Sequence, residues 1–206
     1  MTSGSAAPPL PSPPPPATAA RAVSDAARAA AGAWAQPTDP AGHNRAISQL
    51  YSVLRDLGIA TKGLARYQTT GHPADPEPPD FPRLLTTSAG RLLEACENLD
   101  GIPAAEGLRT LPNPEEPGAV LCQAARTAIT AWRQPAGTST DRDTTIEQLI
   151  TALEFLTTGT RHLTAYAPRR RAISLNAAAA SLAEVTACLA EAIQPPARQP
   201  RPKGAR

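Results

Sequence analysis

Three consecutive arginines are the side chains whose type and spacing most strongly suggest binding chemistry. Arg169, Arg170 and Arg171 precede a predicted helix N-terminus, where the helix dipole already presents positive potential. This placement is unfavourable without an anion, and a bound phosphate would accept hydrogen bonds from the guanidinium groups and the free backbone N–H groups. The full set of candidate anion or nucleic-acid contacts is Arg169, Arg170, Arg171, Arg198, Arg201, Lys203 and Arg206. A basic patch that only improves solubility is the alternative explanation.

The charge distribution concentrates any attraction to polyanions at the C-terminal end. Residues 169–206 contain seven Arg or Lys against Glu184 and Glu191, a net charge of +5, so the total of +2 leaves −3 for the rest of the chain. No recognition helix with base-reading side chains and no aromatic platform accompanies these arginines. Binding to nucleic acid would therefore go through phosphates, without sequence preference and with strong salt dependence.

The sequence contains no motif for catalysis or metal binding, such as a GxSxG elbow, a phosphate-binding GxxxxGK[ST] loop, HExxH or Glu-x-x-His. His43 and His72 lie in predicted loops, and His162 lies on a predicted helix with no carboxylate four residues away, so we interpret all three as solvated. Helix capping and solvation explain the acidic pairs Asp141 with Asp143 and Glu94 with Glu97. We therefore expect no enzymatic activity, no metal and no cofactor.

The cysteines and the hydropathy pattern indicate a cytoplasmic protein. Cys96, Cys122 and Cys188 are odd in number, form no CxxC pair and lie among apolar residues, which favours buried, reduced thiols over disulfides. No run approaches 18 uninterrupted apolar residues, and the N-terminus lacks the basic and hydrophobic regions of a signal peptide. We expect no association with a membrane.

Composition indicates an all-α protein. The 206 residues include 24 Pro but only two Trp, three Tyr and two Phe, too few aromatic side chains for a β-barrel or β-sandwich. The length allows either one domain or two small ones.

An internal repeat is the most informative feature of the chain. Residues 26–37 and 124–135 are identical at eight of twelve positions, and these include the only two tryptophans, Trp34 and Trp132. We interpret each tryptophan as a core anchor at the end of a helix.

Two matching hydrophobic stripes follow these blocks. Each advances by 3, 4, 3, 4 and 3 residues, which keeps it on one face of an α-helix. The stripes are Ile47, Leu50, Leu54, Leu57, Thr61 and Leu64, and Ile146, Leu149, Leu153, Leu156, Thr160 and Leu163. A third, weaker match pairs Leu85, Ala89, Leu92, Cys96 and Leu99 with Leu175, Ala179, Leu182, Thr186 and Leu189.

Thr61 and Thr160 interrupt the stripes at the same place. A local bend, in which each hydroxyl bonds back to the carbonyl four residues earlier, is one explanation, and a groove or flexing point that admits a partner helix is the other.

These patterns predict a six-helix bundle built from two tandem three-helix repeats. The helices are expected near residues 18–36, 44–67, 81–101, 116–134, 144–167 and 172–193, with Asp80 before one start, Pro117 at another and a capping box of Thr144 and Glu147 at a third. The expected domain limits are a disordered Pro-rich tail at 1–17, repeat one at 18–101, a linker at 102–115, repeat two at 116–194 and a disordered basic tail at 195–206.

Two functional hypotheses follow. The first is a non-enzymatic helical scaffold or interaction protein that associates with itself or with another protein through an apolar helical face. The second is a nucleic-acid-associated accessory factor that binds phosphates through its basic C-terminal end.

Overall fold

A computed structural model describes residues 12–36, 39–67, 80–99, 113–134 and 139–193. Within these ranges the chain is 87% helical and contains no strand. The prediction of an all-α helical bundle is therefore confirmed. The helices of the described residues are α1 (Pro16–Trp34), α2 (Pro40–Tyr67), α3 (Phe81–Glu97), α4 (Pro117–Ala131), α5 (Ser139–Tyr166) and α6 (Arg169–Ile193).

Prolines mark the first turns of four of these helices. Pro16, Pro40 and Pro117 are first residues, and Pro82 is the second residue of α3. The first amides of a helix have no partner within the helix, so a residue without an N–H is tolerated there, and its fixed φ already suits the helix. The predicted start at Pro117 is confirmed.

Four helices begin earlier than the sequence predicts, and for α1 the difference is two residues. Asp39 accepts a 2.6 Å hydrogen bond at Oδ1 from the backbone N–H of Gly42, and this N-cap allows α2 to start at Pro40 instead of residue 44. Helix α5 starts at Ser139, which puts Thr144 inside the helix, so the predicted capping box is wrong. Helix α6 starts at Arg169, three residues before the expected position.

The helices form a ring in which each packs against two neighbours. The pairs run from α1 to α5, α6, α3, α2, α4 and back to α1, with a smaller contact between α2 and α5 across the ring. Helix α1 thus packs against α4 and α5, which belong to the second predicted repeat. Helices α2 and α4 run parallel, because Gln49 and Asp56 lie beside Cys122 and Arg126 in the same order.

Both leucine stripes point into this bundle. All twelve stripe positions, from Ile47 to Leu64 and from Ile146 to Leu163, are buried. Of the ten positions in the weaker third match, only Thr186 is not fully buried. The prediction that these periodic residues form the core is confirmed, and removing their apolar area from water supplies the main driving force for packing.

The two tryptophans are buried anchors, as the sequence predicts. Trp132 follows the last residue of α4 and donates a 3.2 Å hydrogen bond from Nε1 to the carbonyl of Pro16 at the start of α1. Trp34, the last residue of α1, lies against α5 at Gly159, where an added Cβ would come within 2.7 Å of the ring atom Cε3. Glycine at position 159 is therefore what allows Trp34 to approach so closely.

Several predictions fall outside the described residues. These are the tails at residues 1–11 and 194–206, the loop at 68–79 and most of the linker, at 100–112. Residues 16 and 17, assigned to the N-terminal tail by the sequence, belong to α1.

Candidate functional site

The arginine cluster lies inside the first turn of α6 and divides into two parts. Arg169 and Arg170 are exposed, whereas Arg171 is half-buried and donates a hydrogen bond from Nη1 to Oδ1 of Asn44 on α2. Two of the three side chains are therefore available to a partner, and the third joins α6 to α2. The remaining candidate contacts, Arg198, Arg201, Lys203 and Arg206, lie outside the described residues.

Helix α6 has two stripes of regularly spaced residues on nearly opposite faces, and both are apolar except for Asn176 in the second one. The inner stripe is buried and consists of Leu175, Ala178, Leu182, Val185 and Leu189. We call the other stripe the outer stripe of α6; its residues are exposed and consist of Ile173, Asn176, Ala180, Ala183 and Ala187. Both advance by 3, 4, 3 and 4 residues, the spacing of a helix seam that packs against another helix. The bundle supplies a neighbour only for the inner stripe.

The outer stripe begins at the most exposed large apolar side chain among those described. Ile173 is 65% exposed, and Tyr166, at the end of α5, is 51% exposed. Only Pro168 and Ala167 separate α5 from α6, so this apolar pair lies on either side of a short turn, beside Arg169 and Arg170. The turn therefore combines exposed apolar and cationic side chains.

Helix α6 also has the length and composition of a membrane-spanning helix. Its most apolar window of 18 residues has a mean hydropathy of 1.4, and 39% of that window is buried in the bundle. Core helices of soluble bundles share these properties, and the inner stripe of α6 packs onto α3 and α5. This helix is therefore unusually apolar for one that is less than half buried, which leaves apolar surface exposed to a partner.

The interpretation of His43 and His162 as solvated side chains is wrong. His43 is buried within α2, and its Nε2–H donates a 2.9 Å hydrogen bond to the carbonyl of Leu163 near the end of α5. His162 is half-buried, and its Nδ1–H donates to the carbonyl of Ala31 at 3.2 Å. Each ring thus joins two helices through a backbone carbonyl, and for His43 the early start of α2 turns a predicted loop residue inward. His72 lies outside the described residues.

The threonines of the two stripes behave differently. Thr160 donates a 2.7 Å hydrogen bond to the carbonyl of Leu156, the back-bonding that the sequence suggested for both positions. Thr61 is equally buried, but its hydroxyl has no hydrogen-bond partner. The explanation by back-bonding therefore holds for Thr160 and not for Thr61.

A polar seam between α2 and α4 is the feature that sequence reasoning missed. We define it as Arg45, Gln49, Asp56, Glu116, Cys122 and Arg126. Asp56 is 3% exposed; its Oδ1 accepts hydrogen bonds of 3.1 and 3.2 Å from Arg55, and its Oδ2 lies 3.7 Å from Nε of Arg126. The spacing of seven between Gln49 and Asp56, which puts both on one face of α2, was the available signal.

Burial determines the reactivity of the Cys122 thiol in this seam. Cys122 donates a 3.6 Å hydrogen bond to the carbonyl of Gln49, and desolvation raises the pKa of the Cys122 thiol to about 11. The charge on Arg126 opposes this shift, and the charge on Asp56 adds to it. Cys122 is therefore a protonated, weakly nucleophilic thiol at neutral pH.

The described residues bring no metal-ligating cluster together. Within the described ranges, no three side chains drawn from His, Cys, Asp and Glu lie close enough to hold a metal ion. Asp141 lies in the first turn of α5, where the helix dipole favours negative charge, and Asp143 pairs with Arg142 at 2.9 Å. Comparison with protein-family models, curated proteins and solved structures finds no match to this chain.

Proposed function

We propose that this protein is a non-enzymatic helical interaction protein that binds a helix of a protein partner along the outer stripe of α6. The observation that carries the proposal is the spacing of that stripe, which repeats the spacing of the buried inner stripe but faces solvent. The small side chains of Ala180, Ala183 and Ala187 would let a partner helix approach closely, and Ile173 would supply the large apolar contact. The partner is a second copy or another protein.

We also propose that the bundle arose by duplication of a three-helix unit and that the protein is cytoplasmic. Exchanging α1 with α4, α2 with α5 and α3 with α6 leaves the set of packed pairs unchanged, which supports two tandem three-helix repeats. We place the first repeat from the start of α1 at Pro16 to residue 101 and the second repeat at 116–194, between the two tails. The odd number of cysteines supports a reducing, cytoplasmic setting.

A paired substitution experiment tests the outer stripe. Tagged wild-type protein and the variant Ile173→Asp with Ala180→Asp are compared for partner capture from native cytosol and for self-association by analytical ultracentrifugation. We expect the double variant to remain helical and to lose the captured protein or the dimer. Val120→Asp on α4, another exposed apolar position, is the matched control. Retained binding in the double variant contradicts the proposal.

The second candidate function is attachment to nucleic acid through phosphates at the basic C-terminal end. The exposure of Arg169 and Arg170 at a helix N-terminus supports it. Binding to a generic DNA duplex is measured between about 50 and 200 mM salt. Loss of binding on deletion of residues 195–206 together with replacement of Arg169, Arg170 and Arg171 by Gln would support this function, and absence of binding at low salt excludes it.

A further inference from the structure

The polar seam between α2 and α4 contains buried groups that lack hydrogen bonds. Gln49 is 8% exposed, and neither its Oε1 nor its Nε2 has a hydrogen-bond partner. Oδ2 of Asp56 and Oε2 of Glu116 also lack one, and Nη1 of Arg45 is 3.6 Å from the latter, beyond hydrogen-bond distance. Buried polar atoms without partners favour any state in which water reaches them.

The aligned seam between α1 and α5 has none of these features. The residue aligned with Asp56 is Phe155, and the guanidinium of Arg28, aligned with Arg126, lies 5.1 Å from the centroid of its ring. The residue aligned with Gln49 is Gln148, which is only half-buried. The two seams are built on the same pattern of positions. Of the residues that define them, only those of the α2–α4 seam contain buried polar atoms without partners.

Helix α4 is also weakly anchored along most of its length. It is 15 residues long, against 19 for α1, and its buried side chains are Leu121 and three alanines, together with Gly118. The large anchor is at the far end, where Trp132 is fully buried and hydrogen-bonded to Pro16. The polar atoms without partners at Gln49 and Glu116 lie beside the opposite, N-terminal end of α4. At that end the amide of Gln49 lies directly against the backbone of α4, since a Cβ at Gly118 would collide with Oε1 of Gln49.

We infer that residues 117–125 of α4 form a flap that unfolds locally from the N-terminal end of the helix, while the Trp132 end stays anchored, and that uncovers the α2 face of the seam. Opening hydrates the amide of Gln49 and the carboxylates of Asp56 and Glu116, while the apolar contact that is lost is small. The open state exposes Leu121 and a groove between α1 and α2. This device is independent of the outer stripe of α6, which lies on another helix.

Native-state hydrogen–deuterium exchange of the full chain tests the flap. The amides of residues 121–127 are compared with those of residues 23–29, the aligned positions on α1. We expect exchange in α4 to be faster by about tenfold or more, since its opening competes with fewer apolar contacts. Equal protection of the two helices overturns the inference.

A matched pair of substitutions tests the cause of opening. Gln49→Met keeps the length of the side chain and removes its polar atoms, so we expect exchange in residues 121–127 to slow by about tenfold. Gln148→Met is the control and should leave exchange in both α1 and α4 within about twofold of wild type. Faster exchange in Gln49→Met would show that the amide is hydrogen-bonded in solution, and unchanged exchange would show that it does not drive opening. Either result overturns the inference.

Discussion

Nε of Arg126 on α4 lies 3.7 Å from Oδ2 of Asp56 on α2, and this carboxylate is almost completely buried although the arginine is 61% exposed. The pair therefore combines the desolvation cost of a buried charge with the weak attraction of a solvated partner. At the aligned positions in the other half, an arginine lies over an aromatic ring instead.

Removing the buried carboxylate of Asp56 is expected to have little effect on the free energy of unfolding. Asp56→Leu should change the free energy of unfolding by less than about 1 kcal/mol or raise it, because the desolvation cost disappears together with the ion pairs. Arg126→Ala should lower it by about 1 kcal/mol, since Asp56 then keeps only Arg55. Urea unfolding followed by circular dichroism measures both. A loss above about 2 kcal/mol for Asp56→Leu would show that the ion pairs give net stability.

Truncating the central leucines should be costly in both halves. Leu54 and Leu153 are fully buried at matching positions of the two stripes. Each substitution to Ala is expected to lower the free energy of unfolding by roughly 2 to 5 kcal/mol, through lost apolar contact and the cavity left behind. Chemical denaturation gives the values. A cost near zero at either position would place its stripe outside the shared core.

The approach of Trp34 to α5 should not tolerate a side chain at Gly159. Gly159→Ala brings a Cβ within 2.7 Å of the indole ring and 3.3 Å of the Cα of Ala31, so we expect a loss of about 1 to 3 kcal/mol from overpacking. Gly90→Ala on α3 is the matched control because nothing lies within 4 Å of the place that its new methyl group would take, and it should gain about 0.5 to 1 kcal/mol from helix propensity. Equal shifts in Tm for the two variants contradict this explanation.

The raised pKa of Cys122 predicts how its alkylation depends on pH. Burial disfavours the charged thiolate, and with a pKa of about 11 only roughly 0.1% is ionised at pH 8. The rate with iodoacetamide should therefore keep rising about tenfold per unit through about pH 10, whereas an ordinary thiol levels off near about pH 9. Site-specific labelling is followed by mass spectrometry, with urea-unfolded protein as the control. A plateau near about pH 9 in the folded protein is the contrary result.

The packing of α1 predicts that neither half of the chain folds without the other. Because α1 contacts α4 and α5, the fragment 1–101 lacks both neighbours of its first helix, and the fragment 102–206 lacks the partners of α4. Each fragment alone should show little helix by circular dichroism, and mixing them should restore the helical spectrum. A cooperative thermal transition in either fragment alone would instead indicate two self-sufficient domains.

The sequence by itself was sufficient to predict the number of helices in the described residues and their buried faces, but not the first residue of every helix. A spacing of 3 and 4 residues between apolar side chains identifies one face of an α-helix without any knowledge of neighbours, so the positions from Ile47 to Leu64 could be assigned to the core directly. The tryptophans were equally clear, because a rare, large side chain at the end of each first helix has few alternatives to burial.

Helix pairing was decided by tertiary structure alone, and the polar contacts followed from it. Periodicity shows which face of a helix is buried but not against which helix, so the packing of α1 on α4 and α5 and the polar seam of Asp56 with Arg126 could not be derived from it. The same holds for His43, whose place in the bundle depends on the cap at Asp39 and on a carbonyl 120 residues away in the chain. The outer stripe of α6 is visible in the sequence as a spacing of residues. It faces solvent because both neighbours of α6 in the ring, α3 and α5, pack on the inner stripe. Such contacts join residues far apart in the chain, and their energies depend on distances and burial that exist only once the bundle has formed.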